Sequence, residues 1–426
     1  MLTIVVVGFF VLLFLGVPIA YSMGIASVIA MLVEGSLSGM VMSQKIFSTV
    51  DSFSMMAIPF FMLAGALMNA CNITNKLISF AQSLVGHIRG GLAQTVALTG
   101  ILMAGISGSG NADASALGSI MLPMMDADGY DDGFSVACIS AASALAPIIP
   151  PSIIMVIYSG ITNMSIARLF MAGILPGLLV GMSYMLWINH HAKKLGMVAH
   201  KRKSFLEIAK ATKDSLGALI MPVIIVGGIL SGLFTASEAG VVACVYAVLF
   251  GLVTKNLTWE KLKDCLITSQ RSAAIPMLVM AMASMFGYLL ARENMPELVL
   301  GVLTSITTNR YLLLIIIVLF ITFLGMFIDG TAIIVMVVPV IMGLITSIGY
   351  DPTHFALVIL LAVTFSGITP PVGILFYIVS SVNRTPLKRV IPQMIPFCIA
   401  GTVVIIAAIF IPQIITFLPN LLLGTV

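Results

Sequence analysis

Charge is what this chain has least of. Only 8% of its 426 residues are Asp, Glu, Lys or Arg, against about 25% in soluble globular domains, and its mean hydropathy is +1.16. That shortage excludes a water-soluble globule, and no polar segment is long enough to form a soluble domain. Any functional site must therefore lie at membrane depth. The five cysteines, at 71, 138, 244, 265 and 398, form no CxxC, and most sit inside apolar runs, as small core residues do. No redox or metal centre follows from them. The first apolar run has no basic stretch before it and no small-residue cleavage site, so it reads as a membrane segment and not as a removed signal. The ten-residue alternation of outer-membrane strands is also missing, because the apolar runs here are roughly 15 to 30 residues long, the scale of helical spans.

What is present fits an all-α polytopic membrane protein. Hydrophobic residues make up 60% of the chain, and at about 20 apolar residues per span the length leaves room for roughly ten to twelve crossings. The net charge of +4 is a loop bias: seven of the 20 Lys and Arg fall between 193 and 213. No nucleic-acid partner is expected. The stretch HHAKKLGMVAHKRK, residues 190–203, carries five Lys or Arg and no acid, which places it on the cytoplasmic side.

Two stretches stand out. GISGSGNADASALGSIMLP, residues 105–123, sets Gly and Ser between apolar arms, and GMFIDGTAIIVMVVP, residues 325–339, is its counterpart; Asp113 and Asp329 each lie ten residues before a proline. The arms around the first tip are about 14 residues long, or about 21 Å at 1.5 Å per residue, short of the roughly 30 Å hydrocarbon core. A re-entrant helical hairpin follows, over about 91–125 and again over about 311–348. Each hairpin is followed by an apolar span interrupted by proline, SALAPIIPPS within 133–159 and TFSGITPP within 353–380. Proline removes donors and excludes α geometry from the residue before it, so both spans must break. Freed carbonyls at that depth are tolerated where they face protein or line a cavity.

The chain repeats itself. Gly16, Gly24, Asp113 and Pro123 recur 216 positions later as Gly232, Gly240, Asp329 and Pro339, and Pro150, Pro151 and Pro176 recur 220 positions later as Pro370, Pro371 and Pro396. This predicts two copies, a first repeat over 1–189 and a second over 217–426, joined by a basic linker and arm helix over 190–216. Paired, interrupted apolar segments in corresponding places point to the midplane site of a secondary transporter. If the copies are inverted, each crosses an odd number of times, and residues 2–33 decide the parity as one kinked span or two short ones. Amphipathic stretches at 40–52, 204–215 and 258–270 are expected at the interface.

Of the 16 acidic residues, Asp113, Asp329 and Glu238 stand apart from the polar loops. A carboxylate at bilayer depth costs roughly 2.5 to 3.5 kcal/mol on insertion scales and is functional by default. The plain alternative is capping of a helix start, the reading preferred for Glu238 and left open for the two Asp. Ser107, Ser109 and Asn111 in the first tip, and Gly325, Gly330 and Thr331 in the second, offer oxygens suited to a hard monovalent cation. No Lys or Arg falls in either tip or broken span, so a bound anion would be held by N–H groups, hydroxyls and a co-bound cation. A stand-alone cation-coupled carboxylate transporter or a passive channel are other readings. The GxSG at 105–108 also occurs in intramembrane serine proteases, but none of the five His lies at depth to activate Ser107.

The first tip with LGSIMLP, the following GYDDGFSVACISAASALAPIIPPSI, and FIDGTA with GITPPVG resemble the large, DctM-like membrane subunit of tripartite ATP-independent periplasmic (TRAP) transporters, nearest its sialic-acid branch. The resemblance spans essentially the whole chain. It implies an elevator-type transporter of the bacterial inner membrane, with two inverted repeats forming a scaffold and a mobile transport domain, driven by sodium and carrying an organic anion such as a sialic acid or C4-dicarboxylate. It implies two partners, a small four-helix DctQ-like membrane subunit and a periplasmic DctP-like binding protein. It would put one sodium ion between Ser107, Gly108 and Asn111 and the break at Ala146 and Pro147. A second would lie between Gly325, Ile328 and Gly330 and the break at Gly367 and Thr369. Substrate would sit near Ser107, Ser152 and Asp329, and Arg292 would face the binding protein.

Overall fold

The computed structural model describes residues 1–35, 38–194 and 202–424, and every regular element among them is a helix. The first half runs α1 (Leu2–Phe14), α2 (Ile19–Glu34), α3 (Gly39–Val50), α4 (Ala57–Ala70), α5 (Ile73–Val85), α6 (Gly91–Ser107), α7 (Gly110–Ala127), α8 (Asp132–Ser143), α9 (Ile153–Thr162) and α10 (Ile166–Lys194). The second runs α11 (Phe205–Leu230), α12 (Ala236–Val253), α13 (Trp259–Arg292), α14 (Met295–Ile306), α15 (Arg310–Gly325), α16 (Gly330–Ile341), α17 (Gly343–Ile348), α18 (Pro352–Ser366), α19 (Ile374–Asn383), α20 (Leu387–Phe410) and α21 (Gln413–Leu423). Part of the basic linker, residues 195–201, lies outside the described residues.

Residues 2–33 form two helices. Gly16, at φ +81°, reverses the chain, and Pro18 starts α2, which packs back on α1 with Gly8 facing Ala26. The stretch at 40–52 is a helix with no buried residue, laid on α13 with its Lys45 ammonium 5.0 Å from the Tyr288 ring centroid. The other two amphipathic stretches differ from the expectation of separate arms. Residues 204–215 continue without interruption into the 26-residue α11, and residues 258–270 into the 34-residue α13. Pro222 and Pro276 lie inside these helices and do not end them, as is tolerated in membrane helices. Among the described residues, five helices are long and apolar enough to cross a membrane, two bent pairs would add at most two more, and eight apolar helices are shorter.

Small residues set the closest helix crossings, as they do in lipid. A Cβ on Gly24 of α2 would lie 2.8 Å from Met282 Sδ of α13, and one on Gly240 of α12 would lie 2.8 Å from Phe60 Cβ of α4. These two glycines are the landmarks 216 positions apart. They make reciprocal contacts, since α2 corresponds to α12 and α4 to the later part of α13. Glu238 does cap its helix: its carboxylate accepts from the Thr235 N–H while the Thr235 hydroxyl accepts from the Glu238 N–H, a closed capping box.

Candidate functional site

Both tips lie on the helix break of their own half. In the first, α6 ends at Ser107 and Gly108 takes φ +61°. Ser109 is then extended and caps α7, its hydroxyl accepting from the Ala112 N–H at 3.4 Å. Gly108 is required twice over. Its left-handed backbone suits glycine, and a Cβ there would collide with the Pro151 carbonyl oxygen. The Gly108 carbonyl accepts from the Ile153 N–H at 3.4 Å, so the tip is joined to the second half of the broken span. Across that break the Ser152 hydroxyl donates to the Pro147 carbonyl at 2.6 Å and accepts from the Met155 N–H. One side chain thus bridges the gap that the prolines leave in the backbone ladder.

The second tip is built in the same way from other atoms. Gly325 ends α15 against Ser366, whose Oγ occupies the place a Cβ would take, and a Cβ on Gly330 would lie 2.7 Å from Val363 Cγ1. Asp329 itself caps α16, accepting from the Thr331 N–H at 2.9 Å, and is exposed. Across this break the Gly367 carbonyl accepts from the Leu375 N–H at 3.1 Å, and the Thr369 hydroxyl donates to the Phe365 carbonyl at 2.7 Å.

The two halves interlock here. Helix α19, after the second break, packs on α7, and α9, after the first break, packs on α16. Leu375 touches both halves: its methyls lie 3.3 Å from a Cβ on Gly110 in the first tip and 3.8 Å from one on Gly367 in the second break. The sequence singled out neither Leu375 nor its role, since a leucine in an apolar run carries no signal.

Among the expected residues, Gly108 meets the first break, where Ala146 is fully buried beside Ser143, and Ser107 before it packs on Gly65 of α4. Asn111 is exposed at the outer side of the tip. Gly325 and Gly330 meet α18 just ahead of Gly367, and Ile328 is half-buried between them. The proposed substrate residues are not equivalent: Ser152 is 0% exposed with its hydroxyl committed inside the break, Ser107 is nearly buried, and Asp329 is open. No hydrogen bond joins Asp329 to either serine among the described residues. Arg292 is paired, 3.5 Å from the Glu34 carboxylate, which ties the end of α13 to the end of α2.

Asp113 departs from the capping alternative. Ser109 caps α7, while the Asp113 carboxylate is 0% exposed and neither oxygen has a hydrogen-bond partner among the described residues; Ser107 is the polar side chain beside it. An unpaired buried carboxylate is costly without a companion charge or hydrogen bond. A cation held beside Ser107 would supply that charge, since carboxylate, hydroxyl and carbonyl oxygens suit a hard monovalent ion, while Asn111, two residues before Asp113 on α7, is exposed. No histidine hydrogen-bonds Ser107 among the described residues.

Residues 6–414 match the family model described as the DctM component of the tripartite ATP-independent periplasmic transporter. Among similar proteins is the sialic acid TRAP transporter large permease SiaM of Vibrio cholerae, 34% identical over 98% of each chain. The C4-dicarboxylate TRAP transporter large permease DctM of Pseudomonas aeruginosa is 34% identical over 94% of each chain. The isethionate TRAP transporter permease DctMQ of Oleidesulfovibrio alaskensis is 33% identical over 96% of this chain and 65% of its own length. In fold, the YdaH transporter of Alcanivorax borkumensis is similar, with a TM-score of 0.62 at 14% identity over 85% of this chain and 86% of that one.

Proposed function

Because this chain belongs to the DctM family of TRAP transporter large permeases, a family of multi-pass membrane transporters and not enzymes, we propose that it takes up a small organic anion across the bacterial inner membrane by coupling to sodium. The substrate class is the one that relatives are named for: sialic acid, C4-dicarboxylate and isethionate carry a carboxylate or sulfonate on a polar body. Sialic acid is the first candidate. The small DctQ-like subunit and a periplasmic binding protein complete the system, and the DctMQ name of one relative supports the first of these.

One observation carries the reading. Each glycine-containing tip sits on the proline break of its own half, and Leu375 joins the two places. Sodium would bind where tip oxygens and freed carbonyls meet, at Ser107, Gly108, Asn111, Ala146 and Pro147 and at Gly325, Ile328, Gly330, Gly367 and Thr369. Ser107 and Asp329 would border the anion between the hairpins, with Ser152 positioning the first break from behind. With no Lys or Arg in either tip, the anion depends on helix N-termini and the co-bound cation, which is a physical reason for coupling. The hairpins and broken helices would move as a block, the two halves being inverted copies, against a scaffold that includes α2, α4, α12 and α13.

The test is uptake into proteoliposomes that contain this chain and the small subunit, with candidate binding proteins outside. Solute should accumulate under an inward sodium gradient, and not when potassium replaces sodium or the binding protein is omitted. Uptake indifferent to both would overturn the reading.

A further inference from the structure

The outer face of α4, α12 and α13 carries a groove that the transport reading leaves unused. Its volume is about 270 Å³, and its walls include Leu63 and Leu67 of α4, Val245 and Val248 of α12, and Leu262 and Leu266 of α13. The sulfur atom among the lining residues, on Cys244, is committed to the Phe60 carbonyl at 3.1 Å. Nothing polar is offered to an occupant along the walls.

One end of the groove is different. Leu67 lies one helical turn before Cys71; Lys76 follows in the first turn of α5, and Lys261 is tied to the Cys71 carbonyl through Asn256, so both lysines flank this end of the groove. Each is held there by a neutral partner. Lys261 Nζ donates to the Asn256 carbonyl at 2.9 Å, Asn256 Nδ2 donates to the Cys71 carbonyl at 3.4 Å, and Lys76 Nζ lies 4.9 Å from the Phe250 ring centroid. Neither lysine has a carboxylate within 4.0 Å among the described residues; Glu260 and Asp264 on α13 are exposed.

The corner also has a side. Helix α11 leaves the basic linker at Phe205 and reaches Lys76 through Ser215, whose hydroxyl donates to the Lys76 carbonyl at 2.8 Å. That is the cytoplasmic end by the bias of Lys and Arg. Trp259, 77% exposed and one turn before Leu262, suits the headgroup level of the same leaflet. Apolar walls ending in two lysines at the headgroup level have the polarity of an amphiphile with a negative head. A free phosphate would find no use for the walls.

We propose that this groove is a specific site for an anionic glycerophospholipid of the cytoplasmic leaflet, with an acyl chain along Leu63, Val248 and Leu266 and the phosphate between Lys76 and Lys261. Anionic lipid is abundant in that leaflet and is attracted by paired lysines near the surface. The site braces α12 and the early part of α13 where both pack on α4, away from both tips.

The test uses the purified full chain in detergent and native mass spectrometry, titrating phosphatidylglycerol and phosphatidylethanolamine with matched acyl chains, and glycerol phosphate as the headgroup alone. One phosphatidylglycerol should bind at about thirtyfold lower concentration than phosphatidylethanolamine, the scale of two lysines near a surface phosphate, and glycerol phosphate should not bind. The double variant Lys76→Gln and Lys261→Gln should lose that preference and keep the weaker binding. Leu266→Trp, at a position 38% exposed and so tolerant of bulk, should lower the binding of both lipids, with thermal unfolding in the same detergent checking that each variant is folded. Equal affinity of the unaltered chain for the two lipids would overturn the proposal, as would unchanged phosphatidylglycerol binding by the double lysine variant or by folded Leu266→Trp.

Discussion

At Asp329 a carboxylate has two tasks that removal alone cannot separate. It caps α16 through the Thr331 N–H, worth about 1 kcal/mol, and it brings a negative charge to an open tip. Asn caps about as well as Asp and carries no charge. If the charge is needed, Asp329→Asn and Asp329→Ala should both abolish uptake in proteoliposomes while the protein inserts and purifies normally. Normal uptake by Asp329→Asn would reduce this residue to a cap. Asp113 was legible as its partner by spacing, but its environment was not, because the helices start in different places. In the 216-residue frame, α7 begins at Gly110 and α16 at Gly330, four positions later, so Asp329 sits on the cap while Asp113 is already inside the helix and turned inward. Gly108 tests the seating of the first tip. A side chain there would cost about 1 to 2 kcal/mol for the left-handed backbone and would press on Pro151, so Gly108→Ala should lose most sodium-driven uptake. Uptake by Gly108→Ala at the unaltered rate would show that the tip need not sit on the break.

Elements that correspond in the two halves need not be equally held. Asn72 and Asn294 both take positive φ and open the corresponding helices α5 and α14. Yet α5 buries Ile73, Leu77, Ile78 and Ala81, and α14 buries nothing, with Leu298, Val302 and Ile306 exposed along one face. The cause is the neighbour. Residues 205–217 of α11 run beside α5, as the bond from Ser215 to Lys76 marks. Among the described residues nothing takes that place along α14. Helices with few buried apolar contacts open locally at low free energy, so backbone amides of α14 should exchange with deuterium at least about tenfold faster than those of α5 in the isolated chain. Equal protection would show that α14 is held by contacts the fold does not suggest. Breaks at proline were legible as elements because donor loss is written in the residue type. The merging of arm and span in α11 and α13 was not, because amphipathic and fully apolar helices share one period and no breaker separates them.

At the scale of the molecule, the order of helices was legible from the repeat of landmarks, while the exchange of partners between halves was not: α7 with α19 and α9 with α16 are contacts between segments over 150 residues apart that no local pattern records. This exchange makes the hairpins and broken helices one packed body. Its boundary with the scaffold is where relative motion must occur if transport moves the body, and Gly287 on α13 faces Pro339 on α16 across it. A Cβ on Gly287 lies 3.8 Å from Pro339 Cβ, the usual separation across a disulfide. The pair Gly287→Cys and Pro339→Cys should therefore cross-link on oxidation, stop uptake, and recover on reduction to the level of the two single variants. The pair Gly8→Cys and Ala26→Cys, with Cβ atoms 3.6 Å apart between α1 and α2, lies within the scaffold, and its cross-link should leave uptake unchanged. If the first cross-link forms, as mass spectrometry of the oxidised protein would show, and uptake continues undiminished, the body does not slide along α13. Substrate would then have to pass by local opening of the tips within a fixed frame.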